Sequence, residues 1–329
     1  MNEHILYQTY STWLVEKYGK KIYKLPINLG GTCPNRDGTL GTGGCTFCGG
    51  KGGGNETHDA SLSVLEQLTL NKAHIQKKYK AKGFIPFFQS FSNTYMPIEL
   101  FQTYMESAAQ TPDVVAIAIA TRPDCIQEIH LDILKNIQTH YGIDICFELG
   151  LQTANYHTLE LIHRGHSLAE YIEAAISIKS YGFQLCTHLI LDFAWDDDLD
   201  VVETAKIVSS VKSDFVKCHS LFIEKGTVMA SMYNKGELKL LDEDTYIHRC
   251  ILFLQNLDPK IVIQRIIGRT PESDSITTNW HSSWWKVRDR LYAEMENNHF
   301  YQGQYFGKQK QAIQSKHTCT NTTPNIFQL

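Results

Sequence analysis

The 329-residue chain is 43% hydrophobic, enough for one large core or two modest ones, which excludes a disordered or fibrous class. Its formal charge of -4, from 31 basic and 35 acidic side chains, gives no global electrostatic argument for nucleic acid, so any RNA or DNA must meet a local basic patch. Nine cysteines, an odd number over this length, do not form the dense even framework of a small secreted scaffold, and the N-terminus lacks the apolar run of a secretory signal or membrane span; the sequence reads as cytoplasmic, with no membrane partner.

Residues 1–20 read as an N-terminal helical segment, residues 21–235 as a βα core and residues 236–329 as a C-terminal extension. The core opens with "IYKLPI" (22–27), the first of seven apolar, β-rich runs. The others are "FIPFFQ" (84–89), "VVAIAIA" (114–120), "DICFELG" (144–150), "QLCTHLIL" (184–191), "DFVKCHSL" (214–221) and "IVIQRII" (261–267). Helical patterns lie between them, with apolar residues three and four apart and a closing glycine, as at 61–83 and 167–182. Strand then helix, six times over, predicts an α/β fold with parallel strands. An open doubly wound sheet and a partial or full βα barrel both fit, and in either a ligand sits beyond the carboxyl ends of the strands.

The residues just beyond each strand are therefore informative. After the first comes "CPNRDGTLGTGGCTFC" (33–48), with Cys33, Cys45 and Cys48 on a glycine-rich loop. A disulfide with a spare thiol, a zinc site with His58 as fourth ligand, and an iron-sulfur cubane with one open iron are the three chemistries such a loop can host. Cys125, Cys146, Cys186, Cys218, Cys250 and Cys319 mostly fall inside strand or helix patterns, where a buried, inert thiol is the usual reading. Glu148 stands in an otherwise apolar strand and needs a partner, either a ligand or Arg122 of "TRPD". His188 alternates with apolar neighbours and reads equally as a core histidine or a ligand contact, while Asp192, His219 and Lys225 are rim candidates for substrate. Asp196, Asp197 and Asp198 are placed to cap the following helix. Near the C-terminus Lys286, Arg288 and Arg290 interleave with Trp280, Trp284 and Trp285, a pattern suited to phosphate contact and base stacking, or to a helix that closes the barrel with its tryptophans inward.

The cysteine loop, followed in order by "NTYMP", "TRPDC", "ELGLQTAN", "LELIHRGH", "CTHLIL", "GELKLL" and "FYQGQYFG", resembles the radical S-adenosylmethionine (SAM) enzymes over nearly the whole chain. More narrowly it is similar to the YhcC-like or YtqA-like family, related to the radical-SAM subunit of Elongator and to coproporphyrinogen-oxidase-like enzymes. The resemblance implies a partial (β/α)6 TIM-type barrel with a C-terminal helical extension. It implies a 4Fe-4S cluster on Cys33, Cys45 and Cys48, with SAM on its open iron. Phe47 then lies near the adenine, Gln89, Ser90 and Asn93 match the motif that holds the methionyl amino group, Gln152 meets the ribose and Arg164 the carboxylate, with Glu148 and His188 as further ligand contacts. The implied chemistry is reductive SAM cleavage to a 5'-deoxyadenosyl radical, fed by an electron donor such as flavodoxin or ferredoxin. The implied substrate is tRNA, at the 5-substituent of the wobble uridine, trimmed from carboxymethylaminomethyl to aminomethyl. Oxidation of a small molecule such as a porphyrin precursor, and a non-catalytic zinc-bearing RNA-binding protein, are the alternatives. One departure is "LDFAWDDDLD" (191–200), where relatives carry a Gly-Leu-Pro-Gly-Glu type turn that contacts adenosine.

Overall fold

The computed structural model describes residues 6–54 and 56–308; Cys319 lies outside the described residues. Seven strands, β1 (Ile22–Ile27), β2 (Gly83–Phe88), β3 (Ala116–Thr121), β4 (Asp144–Gln152), β5 (Gln184–Ile190), β6 (Phe215–His219) and β7 (Val262–Arg265), form one sheet in chain order, and every neighbouring pair is parallel. Helix α1 (Tyr10–Tyr18) precedes the sheet, and α2 (Val64–Tyr79), α3 (Ile98–Ala109), α4 (Glu128–Tyr141), α5 (Tyr156–Leu161), α6 (Leu168–Ser180), α7 (Asp198–Ser210), α8 (Val228–Asn234) and α9 (Glu243–Asn256) fill the crossovers. Helix α10 (Trp284–Asn297) follows β7. The helices start where the sequence supplies caps: Ser63 with Glu66, Ser167 with Glu170 and Asp197 with Asp200 close capping boxes.

Alternation along the strands sorts the side chains into two layers. Ile117, Ile119, Ile145, Phe147, Leu149, Leu185 and Leu189 face the helices and join the main core. Ile85, Phe87, Ala116, Ala118, Cys146, Cys186, Phe215 and Val262 face the other way and meet one another in a second core. They can do so because the sheet curls. Lys24 on β1 reaches Glu148 on the central strand β4 and, at 2.9 Å, Gln264 Oε1 on β7. The open doubly wound alternative is thereby excluded: the fold is a partial barrel, a curled half-barrel with β7 as a seventh strand beyond the six expected repeats.

Helix α1 plugs one end of this interior. Trp13 and Tyr10 meet Phe215 edge-on, with ring centroids 4.7 and 5.1 Å away, and Leu14 joins the inner core. The stretch before α1 also covers the free edge of β7, where the Ile263 N–H donates to the Gln8 carbonyl at 2.8 Å. The region from 236 onward thus supplies both the last strand and an outer helix, α10, whose Val287, Leu291 and Met295 enter the helix-side core. No described helix is long and apolar enough to cross a membrane.

Candidate active site

Cys33, Cys45 and Cys48 line one cavity of about 640 Å³ at the carboxyl ends of the strands. The loop makes its own turns. The Arg36 N–H donates to the Cys33 carbonyl at 2.8 Å and the Cys48 N–H to the Cys45 carbonyl at 2.9 Å, so the CxxC pair is a single turn. Gly43 and Gly44 enter it at φ +83° and +85°, in the left-handed region that side chains avoid. A Cβ on Gly44 would also lie 2.9 Å from the Arg36 side chain. Three N–H donors converge on the sulfurs: Asn35 Nδ2 is 3.7 Å and Arg164 Nη1 3.5 Å from Cys45 Sγ, and Arg36 Nη1 is 3.6 Å from Cys48 Sγ. Burial pushes the Cys48 thiol up to about 11, so a bound cation is what would draw off its proton.

Geometry discriminates between the metal readings. Ligand atoms at about 2.3 Å from one zinc lie within about 4.6 Å of each other. Among the described residues only Glu148, Cys186 and His188 are that close, and ammonium groups of Lys24 and Lys217 already occupy that carboxylate. The loop thiols are spread more widely, and His58 does not line their cavity. Three sulfurs too far apart for one ion, facing a common cavity and supplied with N–H donors, fit a cluster of several irons.

Across from the thiols, β4 ends in a register shift between Gly150 and Gln152, and Gln152 takes φ +77° as it enters the cavity lining. Arg164 is no surface residue. It is 8% exposed, its Nη2 and Nε donate to the Gly150 carbonyl at 2.6 and 3.2 Å, and no described carboxylate pairs with it. A Cβ on Gly150 would stand 2.6 Å from that Nη2, so the bare backbone there lets the guanidinium approach. Phe47 lines the cavity and packs on Phe193 at 6.2 Å; Trp195 stacks behind Phe193 at 6.5 Å. Of the three aspartates in this loop only Asp197 caps α7. Asp196 is buried under the hydroxyls of Thr153 and Thr158, at 2.7 and 2.5 Å, and Asp198 meets His248 at 2.9 Å.

The segment after β2 divides. Gln89 lines the cavity, its Nε2 donating to the Gly53 carbonyl at 2.7 Å. Ser90 and Asn93 do not. Ser90 Oγ is buried against Gly54, and Asn93 Nδ2 donates to the carbonyls of Phe88 and Ala120 at 3.0 and 2.8 Å, clamping the ends of β2 and β3.

The Arg122 bridge, one of the two readings for Glu148, does not form, because a nearer partner wins. Arg122 forks onto Asp124, two residues away, with Nη2 and Nε at 2.7 and 2.9 Å, and its Nη1 donates to the Arg164 carbonyl at 2.7 Å. Glu148, 1% exposed, instead takes Lys24, Lys217 Nζ at 3.0 Å and His188 Nε2 at 2.6 Å. Burial alone would raise its carboxyl, yet the two ammonium groups and His188 hold it well below the usual range. Burial pulls Lys217 down to about 8 and His188 down to about 4, so His188 is neutral and donates. His219 lines the cavity 5.5 Å from the His188 ring. Asp192 lies outside the lining, accepting the Leu221 N–H at 2.8 Å, and burial pushes it up to about 7. Lys225 is exposed and donates to the Ser273 carbonyl. Sequence reasoning missed Lys24, Lys217 and Arg265; the available signal was a charged residue set in each of three apolar strand runs.

On the C-terminal segment, Trp280 points inward, its Nε1 donating to the Leu241 carbonyl at 2.7 Å, whereas Trp284 and Trp285 are exposed on the first turn of α10. Arg290 pairs with Glu243 and Asp244 on α9 and Arg288 with Asp289, leaving Lys286 alone of the three without an acidic partner among the described residues. None of the three lines the cavity, whose outer wall is the loop 269–274 after β7.

The profile described as "Radical_SAM C-terminal domain" matches residues 213–297. YtqA of Bacillus subtilis (strain 168) is 35% identical over 300 residues, 91% of this chain and 92% of that one. A shorter stretch of 170 residues, 49% of this chain, is 31% identical to the "tRNA uridine(34) acetyltransferase" of Methanocaldococcus jannaschii and covers 30% of that relative. Among solved structures, the archaeal Methanocaldococcus infernus Elp3 with an N-terminal deletion superposes with a TM-score of 0.64 at 16% identity, covering 85% of this chain and 64% of that one, a likeness of fold.

Proposed function

The chain belongs to the YtqA-like family of radical SAM proteins, and from that premise we propose that it binds a 4Fe-4S cluster on Cys33, Cys45 and Cys48, binds SAM beside it, and trims the 5-substituent of tRNA wobble uridine from carboxymethylaminomethyl to aminomethyl. The observation that carries the cofactor reading is Arg164: a buried guanidinium with no carboxylate of its own, 3.5 Å from Cys45 Sγ, in the cavity the three thiols line. A bound cluster supplies the electron that cleaves SAM, taken from a flavodoxin- or ferredoxin-type donor.

The protein's own side chains bind, orient and exclude. The planar fork of Arg164, braced on the Gly150 carbonyl, suits a carboxylate, and Gln152 beside it offers both a donor and an acceptor to a ribose. Phe47 gives an adenine an apolar face backed by Phe193. Below them the inner core and α1 close the barrel, so water reaches the cavity only from the strand-end rim. Replacing Arg164 by alanine is expected to weaken SAM binding by about 1.5–3 kcal/mol, the worth of one hydrogen bond to a charged group, while iron content is retained. Unchanged SAM affinity by calorimetry would return Arg164 to a purely structural role.

The substrate reading is supported by the resemblance to a relative named for tRNA uridine(34) and by an exposed cation at the rim. Arg269 stands exposed at the cavity mouth, where an RNA backbone would pass, whereas Lys51 there is paired with Asp274, and Arg288 and Arg290 on α10 are likewise engaged with acids. Mass analysis of tRNA nucleosides from a deletion strain is expected to show carboxymethylaminomethyluridine accumulating and the aminomethyl form lost. An unchanged nucleoside profile, with the purified protein still cleaving SAM, would favour a small-molecule substrate instead.

A further inference from the structure

The β6–β7 wall of the cavity carries positive charge that the described residues do not pair in full. Lys24 and Lys217 share Glu148, but Arg265 has no carboxylate within ion-pair distance among the described residues. The other acids of the lining, Glu56, Glu224, Glu272 and Asp274, make no ion pair with it; Asp274 is taken by Lys51 at 2.7 Å. Arg265 Nη2 rests on His219 Nδ1 at 2.8 Å, and Arg265 Nε is buried with no partner at all. His219 must accept this bond with a lone pair, and burial together with the guanidinium keeps its ring neutral. A half-buried guanidinium with no carboxylate partner is costly to place inside a barrel, so its position calls for a physical reason.

That position is built by a bulge. The β6–β7 register runs Val216 to Ile263 and then jumps to Lys217 opposite Arg265, so Gln264 is the extra residue. Without the jump Arg265 would share the face of Ile263, which packs in the helix-side core. With it, Arg265 turns inward beside Lys217 and lines the cavity. Bulges that re-aim a side chain are concentrated next to active sites.

We propose that Arg265, flanked by Lys217 and His219, is the subsite for a carboxylate carried by the substrate; the assignment rests on the cavity being the active site. A planar guanidinium that lines the cavity with no carboxylate of its own matches a two-oxygen planar group. A backbone phosphate is the other anion such a fork could take, but the exposed rim cation Arg269 is better placed for it than a residue inside the barrel.

The test uses the reconstituted protein with SAM and three probes: the nucleosides 5-carboxymethylaminomethyluridine and 5-aminomethyluridine, and inorganic phosphate. The wild type is expected to bind the carboxylate-bearing nucleoside at least about ten-fold more tightly than the amine, the range for a hydrogen bond between charged groups, and Arg265→Gln should bring the two within about two-fold. Arg265→Lys, which keeps the charge without the fork, should retain part of the preference and decides the matter if the glutamine variant unfolds. Equal binding of both nucleosides by the wild type, or a preference that survives Arg265→Gln, overturns the subsite. Phosphate displacing the carboxylate probe from the wild type at equal concentration also overturns it. Failure of the wild type to cleave SAM would count against the cofactor reading, while the ratio of nucleoside affinities still decides the subsite.

Discussion

Cys45→Ala protein, reconstituted anaerobically, is expected to lose iron and reductive SAM cleavage together. Cys45 is the most buried of the three loop thiols, and both Asn35 Nδ2 and Arg164 Nη1 aim at its sulfur. Cys33→Ala and Cys48→Ala should behave alike, because in the proposed cluster each thiolate is a covalent ligand. Cys250→Ala is the control. Its thiol is buried in the helix-side core, away from the cavity, and its removal should leave iron binding intact at a stability cost of at most about 1–2 kcal/mol for a small core truncation. The measurement is iron content with the broad absorption near 400 nm, alongside 5'-deoxyadenosine formation. Full iron and SAM cleavage in Cys45→Ala would sink the cluster assignment, and a colourless protein with one bound zinc would revive the zinc reading against the spread of its sulfurs.

The parts of this site that were legible in the sequence are those whose geometry is local. The seven strands could be read because a parallel strand buried on both faces leaves a continuous apolar run, as "VVAIAIA" does. The family resemblance implies Gln152 and Arg164 as ligand contacts, and both do line the cavity. Charge pairing across the barrel could not be read. Glu148 lies on β4 while its partners lie on β1, β5 and β6, and only the curl of the sheet brings them together. The tryptophans and cations near 284–290 show the same limit: the pattern suited RNA, but Arg290 is held by acids some 46 residues earlier in the chain. Arg265 was hidden for a third reason. A bulge reverses the alternation on which strand reading depends, and nothing in "IVIQRII" announces it.

Glu148→Gln is expected to destabilise the protein by about 3–5 kcal/mol near neutral pH, the usual cost of breaking a buried ion pair from one side. Glutamine keeps the shape and one acceptor, so the loss isolates the charge: Lys24 and Lys217 would face each other in the barrel interior with no anion between them. The pH dependence identifies the cause. Glu148 is held well below the usual carboxylate range in the folded protein, so its contribution is fully present above its unfolded value of about 4.3 and is lost as pH falls through the folded one. The gap between wild type and variant should therefore be flat from about pH 5 to 7 and close in stronger acid. The alkaline side runs differently. Lys217 has a folded value of about 8, below the ordinary lysine, so the unfolded chain binds more protons above that pH and stability rises toward about pH 10. Removing Glu148 takes away the attraction that keeps Lys217 charged, so in the variant this rise should begin at lower pH and narrow the gap again. A second substitution supplies the decisive comparison. Adding Lys217→Met to Glu148→Gln removes the ammonium left without an anion and should recover part of the loss, where independent sites would give a sum of two losses. Denaturant unfolding of the four proteins across pH measures all of this. If Glu148→Gln stayed within about 0.5 kcal/mol of the wild type at pH 7, as ordinary surface changes do, the carboxylate would not be what holds the interior cations in place.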